Sequence, residues 1–155
     1  MKRHLALINF SREHHNALIL AQILKKDGPN FKDLPTDDEG KRTYTISFYK
    51  TELAKHFQHE EEILFAFVDK QSSLLTEQTA LLIDEHKKLK NLIHQLSTTG
   101  NLEKVLDKIG MLLEKHIRFE ERVYFQKVQE IFSEKELDEL LTLLSLPHGN
   151  SKKVS

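Results

Sequence analysis

The chain has 155 residues, 39% of them hydrophobic and 30% charged, and its formal net charge is −1. This length suits one domain with a single core, and this composition is that of a globular protein rather than a disordered one. Lys and Arg are scattered among nearly equal numbers of Asp and Glu, so neither nucleic acid nor an anionic membrane surface is an expected partner. Cysteine is absent, which excludes disulfides, iron–sulfur clusters and cysteine-based zinc sites.

No stretch of the sequence approaches the roughly 18 consecutive apolar residues that a membrane-spanning helix needs. The apolar part of the N-terminal MKRHLALINF is also too short for a secretion signal. We therefore expect a cytoplasmic protein, and any metal that it binds must be held by histidine and carboxylate side chains.

Helical periodicity divides the chain into four long segments separated by glycine and proline. The predicted helices span residues 4–26, 44–70, 74–97 and 101–131, and no segment has the alternation of a strand. A fifth helix is predicted over 134–145, because Ser133 and Glu136 have the spacing of a capping box and Pro147 follows the helix. The 27–43 connection has no apolar period and is predicted to be irregular. We expect one domain over 1–146 and a flexible tail over 147–155.

Every long helix carries a histidine on its apolar face. Steps of three and four residues along these faces reach six ionisable residues: His14, His56, Glu60, His86, His116 and Glu120. A single such histidine is usually a hydrogen-bonded core residue. Two carboxylates facing four imidazoles in an apolar interior are different, because they stay ionised only if a positive charge lies between them.

A metal centre would supply that positive charge. In the two His-x-x-x-Glu motifs, four helical residues turn through about 400°, so both side chains lie on one face and can reach the same ion cluster. Imidazole mixed with carboxylate oxygen suits iron or manganese. Glu61 and Glu121 are rotated away by about 100° and are predicted to meet water or a lysine. His59 and His94 share faces with charged residues and are predicted to be solvated.

The chain contains an internal repeat. HFQHEEEILF at 56–65 aligns with HIRFEERVYF at 116–125, and the dipeptide Glu-His precedes each repeat at His14 and His86. Two helix pairs of this kind pack most simply as an all-α, antiparallel, up-down-up-down four-helix bundle, with two half-sites facing each other at its centre. The short helix over 134–145 is then an addition to the bundle.

With this pattern, the sequence resembles the hemerythrin-like (HHE cation-binding) family over residues 4–131. The resemblance implies a non-haem centre of two iron ions joined by an oxo or hydroxo bridge, with manganese or zinc as alternatives. It implies that Glu60 and Glu120 bridge the metals and that the four histidines are terminal ligands. It also implies a small diatomic ligand, O2 or NO, bound for sensing, scavenging or iron and oxygen handling.

One position departs from the family's oxygen carriers, which have a second imidazole four residues after the histidine of the third helix. Here Lys90 occupies that position. The change argues against reversible oxygen transport and leaves His15, His59, Glu61, Glu121 or water as candidates for the missing ligand.

Other functional classes fit less well. A ferritin-like site needs Glu-x-x-His, which does not occur in the chain. The remaining alternative is a structural or interaction bundle that holds zinc or no metal. The sequence does not decide whether the protein is an enzyme, which redox partner it has, or how many chains assemble.

Overall fold

The computed structural model describes residues 2–146 of the chain. Its five helices are α1 (Leu5–Leu24), α2 (Asp38–Gln71), α3 (Thr76–Gln95), α4 (Leu102–Ile131) and α5 (Glu134–Ser145). These bounds confirm an all-α four-helix bundle with a short fifth helix, and no strand occurs among residues 2–146. The predicted flexible tail over 147–155 lies outside the described residues.

The second helix begins earlier than the sequence analysis predicted. It starts at Asp38 rather than at residue 44, so the irregular connection ends at 37. Asp38 and Glu39 stand in its first turn, where the positive end of the helix dipole stabilises acidic side chains. Gly40, in the segment predicted to be irregular, lies in this first turn, where a Cβ would come within 2.6 Å of Asp37 Oδ1.

Three turns within the long helices are π-helical. They span Tyr49–Leu53 and Glu60–Phe65 in α2, and Glu120–Tyr124 in α4. A π turn contains one extra residue and re-aims the side chains that follow it, and such turns are frequent at functional sites. Two of these turns begin at the glutamates of the two His-x-x-x-Glu motifs.

The core consists of two apolar layers with a polar layer between them. One layer is formed by residues 6–10, 63–68, 75–82 and 124–140, and α5 closes it with Leu137 and Leu140. The other layer is formed by residues 17–24, 48–57, 89–96 and 105–117. Between the two layers, each of the four long helices contributes a buried histidine.

The first helix packs closely along the fourth, and Gly110 makes that approach possible. A Cβ at Gly110 would lie 2.8 Å from the carbonyl oxygen of Ala21 and 3.1 Å from Leu24 Cβ. These are backbone and core atoms, which cannot move aside cheaply.

Gly110→Ala is therefore expected to destabilise the protein by about 1–3 kcal/mol, because overpacking outweighs the better helix propensity of alanine. Urea unfolding measures the difference. The matched control is Gly100→Ala, whose Cβ would meet nothing within 4 Å. A Gly110→Ala variant as stable as the native chain would contradict the close packing.

No helix among the described residues is both long enough and apolar enough to pass through a membrane.

Candidate metal centre

All six predicted site residues meet in the polar layer. His14, His56, His86 and His116 are 1–5% exposed, and Glu60 and Glu120 are fully buried. The Nε2 atom of each histidine faces a central carboxylate. The separations are 3.1 Å for His14 to Glu120, 3.4 Å for His56 to Glu60, 3.1 Å for His86 to Glu60 and 3.3 Å for His116 to Glu120.

These atoms form two clusters that share a carboxylate. His14, His56, Glu60 and Glu120 offer ligand atoms within 4.8 Å of one another, and so do Glu60, His86 and His116. Within Glu60, Oε2 faces His56 and Oε1 faces His86. Glu120 Oε1 lies near both His14 and His116. Each glutamate therefore spans the two halves of the centre.

The atoms of this centre that could bind a metal lack hydrogen-bond partners among the residues that the structure describes. The four Nε2 atoms and the four carboxylate oxygens are buried and close to one another, but none of them makes a well-directed hydrogen bond. Buried polar atoms are almost always paired, and each unpaired one costs about 1–3 kcal/mol. Eight such nitrogen and oxygen atoms lie together here, and unpaired imidazole nitrogens beside unpaired carboxylate oxygens are suited to bind a metal ion, so these residues fit metal ligation.

The outer nitrogen of every site histidine donates to a further glutamate. The Nδ1 atom of His14 lies 2.5 Å from Glu121 Oε2, and that of His86 lies 2.6 Å from Glu61 Oε2. A second pair of glutamates serves the other two histidines: His56 Nδ1 is 2.7 Å from Glu13, and His116 Nδ1 is 2.8 Å from Glu85.

These outer hydrogen bonds fix which ring nitrogen can bind metal. An ionised carboxylate can only accept, so the shared hydrogen belongs to Nδ1. In the neutral imidazole this leaves the Nε2 lone pair free and directed at the centre. Outer carboxylates of this kind orient the ring and make it a more basic ligand.

The outer carboxylates correct one prediction and add two residues that the sequence analysis missed. Glu61 and Glu121 were predicted to meet water or lysine, but each bonds a site histidine from the adjoining helix. Each stands at the second position of a π turn. Glu13 and Glu85 were missed, although both belong to the Glu-His dipeptides of the repeat. That repeated dipeptide was the signal that could have revealed them.

The candidates for an additional ligand do not face the centre. Glu61 and Glu121 bond the outer nitrogens, and His15 is exposed. His59 is partly buried and lines a surface cleft together with Glu13 and His56. Lys90 is exposed, and so is His94, as predicted.

Aromatic rings shield the centre from water. The His86 ring is sandwiched between Phe57, whose ring centroid is 3.8 Å away, and Phe65 at 5.8 Å. Phe125 stacks on the His14 ring at 5.7 Å. Beside this ring cluster, the buried hydroxyls of Tyr124 and Thr79 share a 2.7 Å hydrogen bond.

The outer glutamates Glu61 and Glu121 both lie in π turns, but among the described residues only Glu121 accepts hydrogen bonds from additional donors. Glu121 accepts from Arg3 Nη2 and from Ser11 Oγ, both at 3.0 Å, while Arg3 also lies over the Phe125 ring. Glu61, the equivalent residue in the repeat, has a 39% exposed side chain and bonds His86. The two halves of the centre therefore have similar ligands but different surroundings.

Without metal, the carboxylates favour protonated histidines. Burial by itself lowers the pKa of His14, but the nearby Glu120 and Glu121 outweigh it and raise the pKa to about 9. At His56, Glu60 and Glu13 outweigh burial and raise the pKa to about 10. At His116, Glu120 and Glu85 outweigh burial and raise the pKa to about 10 as well. Burial raises the pKa of Glu60, but His56 and His86 hold it well below its usual value.

His4, Glu134 and Asp138 also lie close together, but they form a structural contact between helices. His4 Nε2 lies 3.2 Å from Asp138 and 3.4 Å from Glu134, at the start of α1. The Nδ1 atom of His4 accepts from the backbone N–H of Ala6, so Nε2 carries the ring hydrogen and donates to Asp138. This histidine caps α1 and ties it to α5.

The outer carboxylates should tune metal affinity according to their burial. Glu85→Gln is expected to weaken metal binding by roughly 10- to 100-fold, because it removes a negative charge from a buried histidine partner. Glu13 has a half-exposed side chain, where water screens the charge, so Glu13→Gln should cost less. Competition with a chromogenic chelator measures both affinities.

The matched control is Asp84→Asn, which neutralises the exposed residue next to Glu85. An equal or larger loss in Glu13→Gln than in Glu85→Gln would contradict the role of burial.

Comparison with known families agrees with this geometry. Residues 6–128 match the model of the hemerythrin HHE cation-binding domain, which covers most of the chain and includes all six central residues. The chain therefore belongs to the hemerythrin HHE cation-binding domain family. No curated protein and no solved structure matches the chain at a significant level.

Proposed function

We propose that the protein holds two iron ions in its polar layer and binds a small diatomic molecule, O2 or NO, for sensing, scavenging or iron and oxygen handling. The observation that carries this proposal is the set of unpaired, buried donor atoms: four imidazole nitrogens and two carboxylates directed at one another. The family's cation-binding character supports the metal.

Two ions fit this donor set better than one. His14 and His56 belong to one cluster and His86 and His116 to the other, while Glu60 and Glu120 reach both. Each cluster would supply two imidazoles together with carboxylate oxygen, and imidazole with hard oxygen suits iron or manganese.

When bound, ferrous iron would supply electrons and an open position for a diatomic ligand. The protein's own residues prepare that position. Glu60 and Glu120 set the spacing of the two halves, and the outer glutamates hold each Nε2 lone pair inward. Phe57, Phe65 and Phe125 exclude bulk water, so a bound diatomic would face an apolar surrounding with few competing ligands.

We further propose that the protein acts in the cytoplasm without nucleic acid or membrane partners. Its near-zero net charge supports this assignment. Lys90 stands where oxygen carriers of the family have an additional imidazole. Its exposed position supports a role in sensing or scavenging rather than in reversible oxygen transport.

Metal analysis combined with spectra of the aerobic and anaerobic protein tests the proposal. About two irons per chain, with near-ultraviolet absorption from an oxo bridge that is lost on reduction and changes on exposure to O2 or NO, are expected. A colourless chain loaded with zinc, or one free of metal after growth in iron-rich medium, would instead support a structural or interaction bundle.

A further inference from the structure

We propose that small ligands enter the centre through the cleft between α2 and α3, and that Phe57 is the gate of that entry. The inference rests on the proposed function, since it concerns access to the same centre. The cleft has a volume of about 340 Å³, and its lining includes Tyr49, Phe57, Glu61, His86, Lys87 and Lys90.

Phe57 lines this cleft together with His86, one of the site histidines. The Phe57 ring lies face to face with the His86 ring at 3.8 Å, at an interplanar angle of 15°, and edge-on to the His116 ring at 5.9 Å. It therefore covers both histidines of one cluster while its other side borders the cleft. Only 6% of Phe57 is exposed, so the entry is closed in this conformation.

In the other half of the repeat, more hydrogen bonds hold the outer glutamate that covers the site histidine. There Glu121 replaces Glu61, and Arg3 and Ser11 donate to it and hold it over His14. The repeat also places Ile117 where the first half has Phe57. The fourth outer glutamate, Glu85, is buried and gives no path from the surface.

A second cleft, of about 300 Å³, reaches His56 and is lined by Glu13, Phe48, Glu52 and His59 among others. Both linings include a site histidine, His56 in this cleft and His86 in the other, and the α2/α3 cleft is also lined by Phe57, the ring stacked on His86. Phe57 is not one of the six site residues, so its ring can move without removing a ligand. The α2/α3 cleft is therefore the side on which opening leaves the centre intact.

The gate is tested by stopped-flow measurement of nitric oxide binding to the reduced, iron-loaded chain. Phe57→Leu is expected to raise the association rate roughly tenfold, because binding no longer waits for a ring to rotate. One matched variant serves as the control: Phe48→Leu replaces a ring at the other cleft. It should stay within roughly twofold of the native rate.

An unchanged rate in Phe57→Leu, or a faster rate in Phe48→Leu alone, would overturn the proposal. Circular dichroism checks folding, and Phe57→Met, whose unbranched side chain adapts to the surrounding core, replaces a leucine variant that fails to fold.

A native chain that holds no iron defeats the proposed function but leaves the gate testable. In the metal-free chain, diethyl pyrocarbonate modifies accessible imidazole nitrogens, and peptide mass spectrometry locates the product. Phe57→Leu should increase modification of His86 relative to His14, and Phe48→Leu should not. Equal modification of His86 and His14 in Phe57→Leu would overturn the gate.

Discussion

Replacement of Glu120 by alanine is expected to abolish metal binding at both halves of the centre. Glu120 Oε1 lies within 3.3 Å of the Nε2 atoms of His14 and His116, which belong to different clusters. In the proposed two-metal centre, its loss would remove a ligand from each ion and leave one carboxylate to offset two divalent charges. His56→Ala should also lose metal, because it removes one imidazole and leaves Glu60 without a neighbour at 3.4 Å.

Stability is expected to fall together with metal content, because metal that binds only the folded chain stabilises it. With free metal at a thousand times the dissociation constant, the native chain gains about 4 kcal/mol that the variants lack. For a chain of this size, that loss lowers the Tm by roughly 10 °C. Metal analysis and thermal unfolding with and without a chelator measure the two effects.

His94→Ala is the matched control, since His94 is an exposed histidine on α3, the helix that carries His86. It should keep both metal content and Tm. Full metal content in Glu120→Ala and His56→Ala would show that the six residues are not the ligands.

The metal-free chain is expected to lose stability as the pH rises from 6.5 to 10. The pKa of His14 is raised from 6.5 to about 9, and those of His56 and His116 to about 10. A histidine whose pKa is higher in the folded state stabilises the fold fully below 6.5, and that contribution disappears as the pH rises through 9 to 10. The Tm should drop by roughly 10 °C over this range.

At acid pH the stability of the metal-free chain changes in the opposite direction and falls as the pH falls. The pKa of Glu60 is held well below 4.5 by His56 and His86, so its contribution is present above 4.5 and is lost as the pH falls further. The metal-free chain should therefore be most stable between about pH 4.5 and 6.5. Metal ions compete with the same protons, so metal affinity should instead increase toward alkaline pH.

Thermal unfolding of the metal-free chain at several pH values measures this dependence, and isothermal titration in buffers of different ionisation enthalpy counts the protons released by metal. Glu60→Gln should flatten the alkaline slope, whereas His94→Ala should keep it. A Tm that stays constant or rises between pH 6.5 and 10 would contradict the charge pairing.

Periodicity predicted the six buried residues of the polar layer because burial and spacing are linked in a helix. A histidine at a core-facing step, such as His86, is turned toward the interior, and Glu60 one turn after His56 must share its face. The bundle and the short helix that starts after Ser133 followed from the same patterns together with a capping box, which the structure confirms.

The hydrogen bonds of the four outer glutamates could not be predicted from periodicity and spacing. The rotation of an α-helix places Glu61 and Glu121 away from the core face, but the π turns that begin at Glu60 and Glu120 change that rotation. No local residue preference marks a π turn, so its consequence appears only in three dimensions. Glu13 and Glu85 lie next to site histidines in sequence, yet each bonds the histidine of a different helix.

The start of α2 was misplaced for a different reason. Gly40 and the charged residues around it carry no apolar period, and such a segment reads as a loop. The stabilising contribution there is electrostatic, from Asp38 and Glu39 at the helix N-terminus, and periodicity does not register it.

The most direct test of the central claim is anomalous diffraction at the iron absorption edge from crystals of the iron-loaded chain. Two anomalous peaks are expected between the apolar layers, one near the Nε2 atoms of His14 and His56 and the other near those of His86 and His116, with Glu60 and Glu120 between them. Crystals with bound iron elsewhere, or with the six side chains bonded only to water and to one another, would contradict the account.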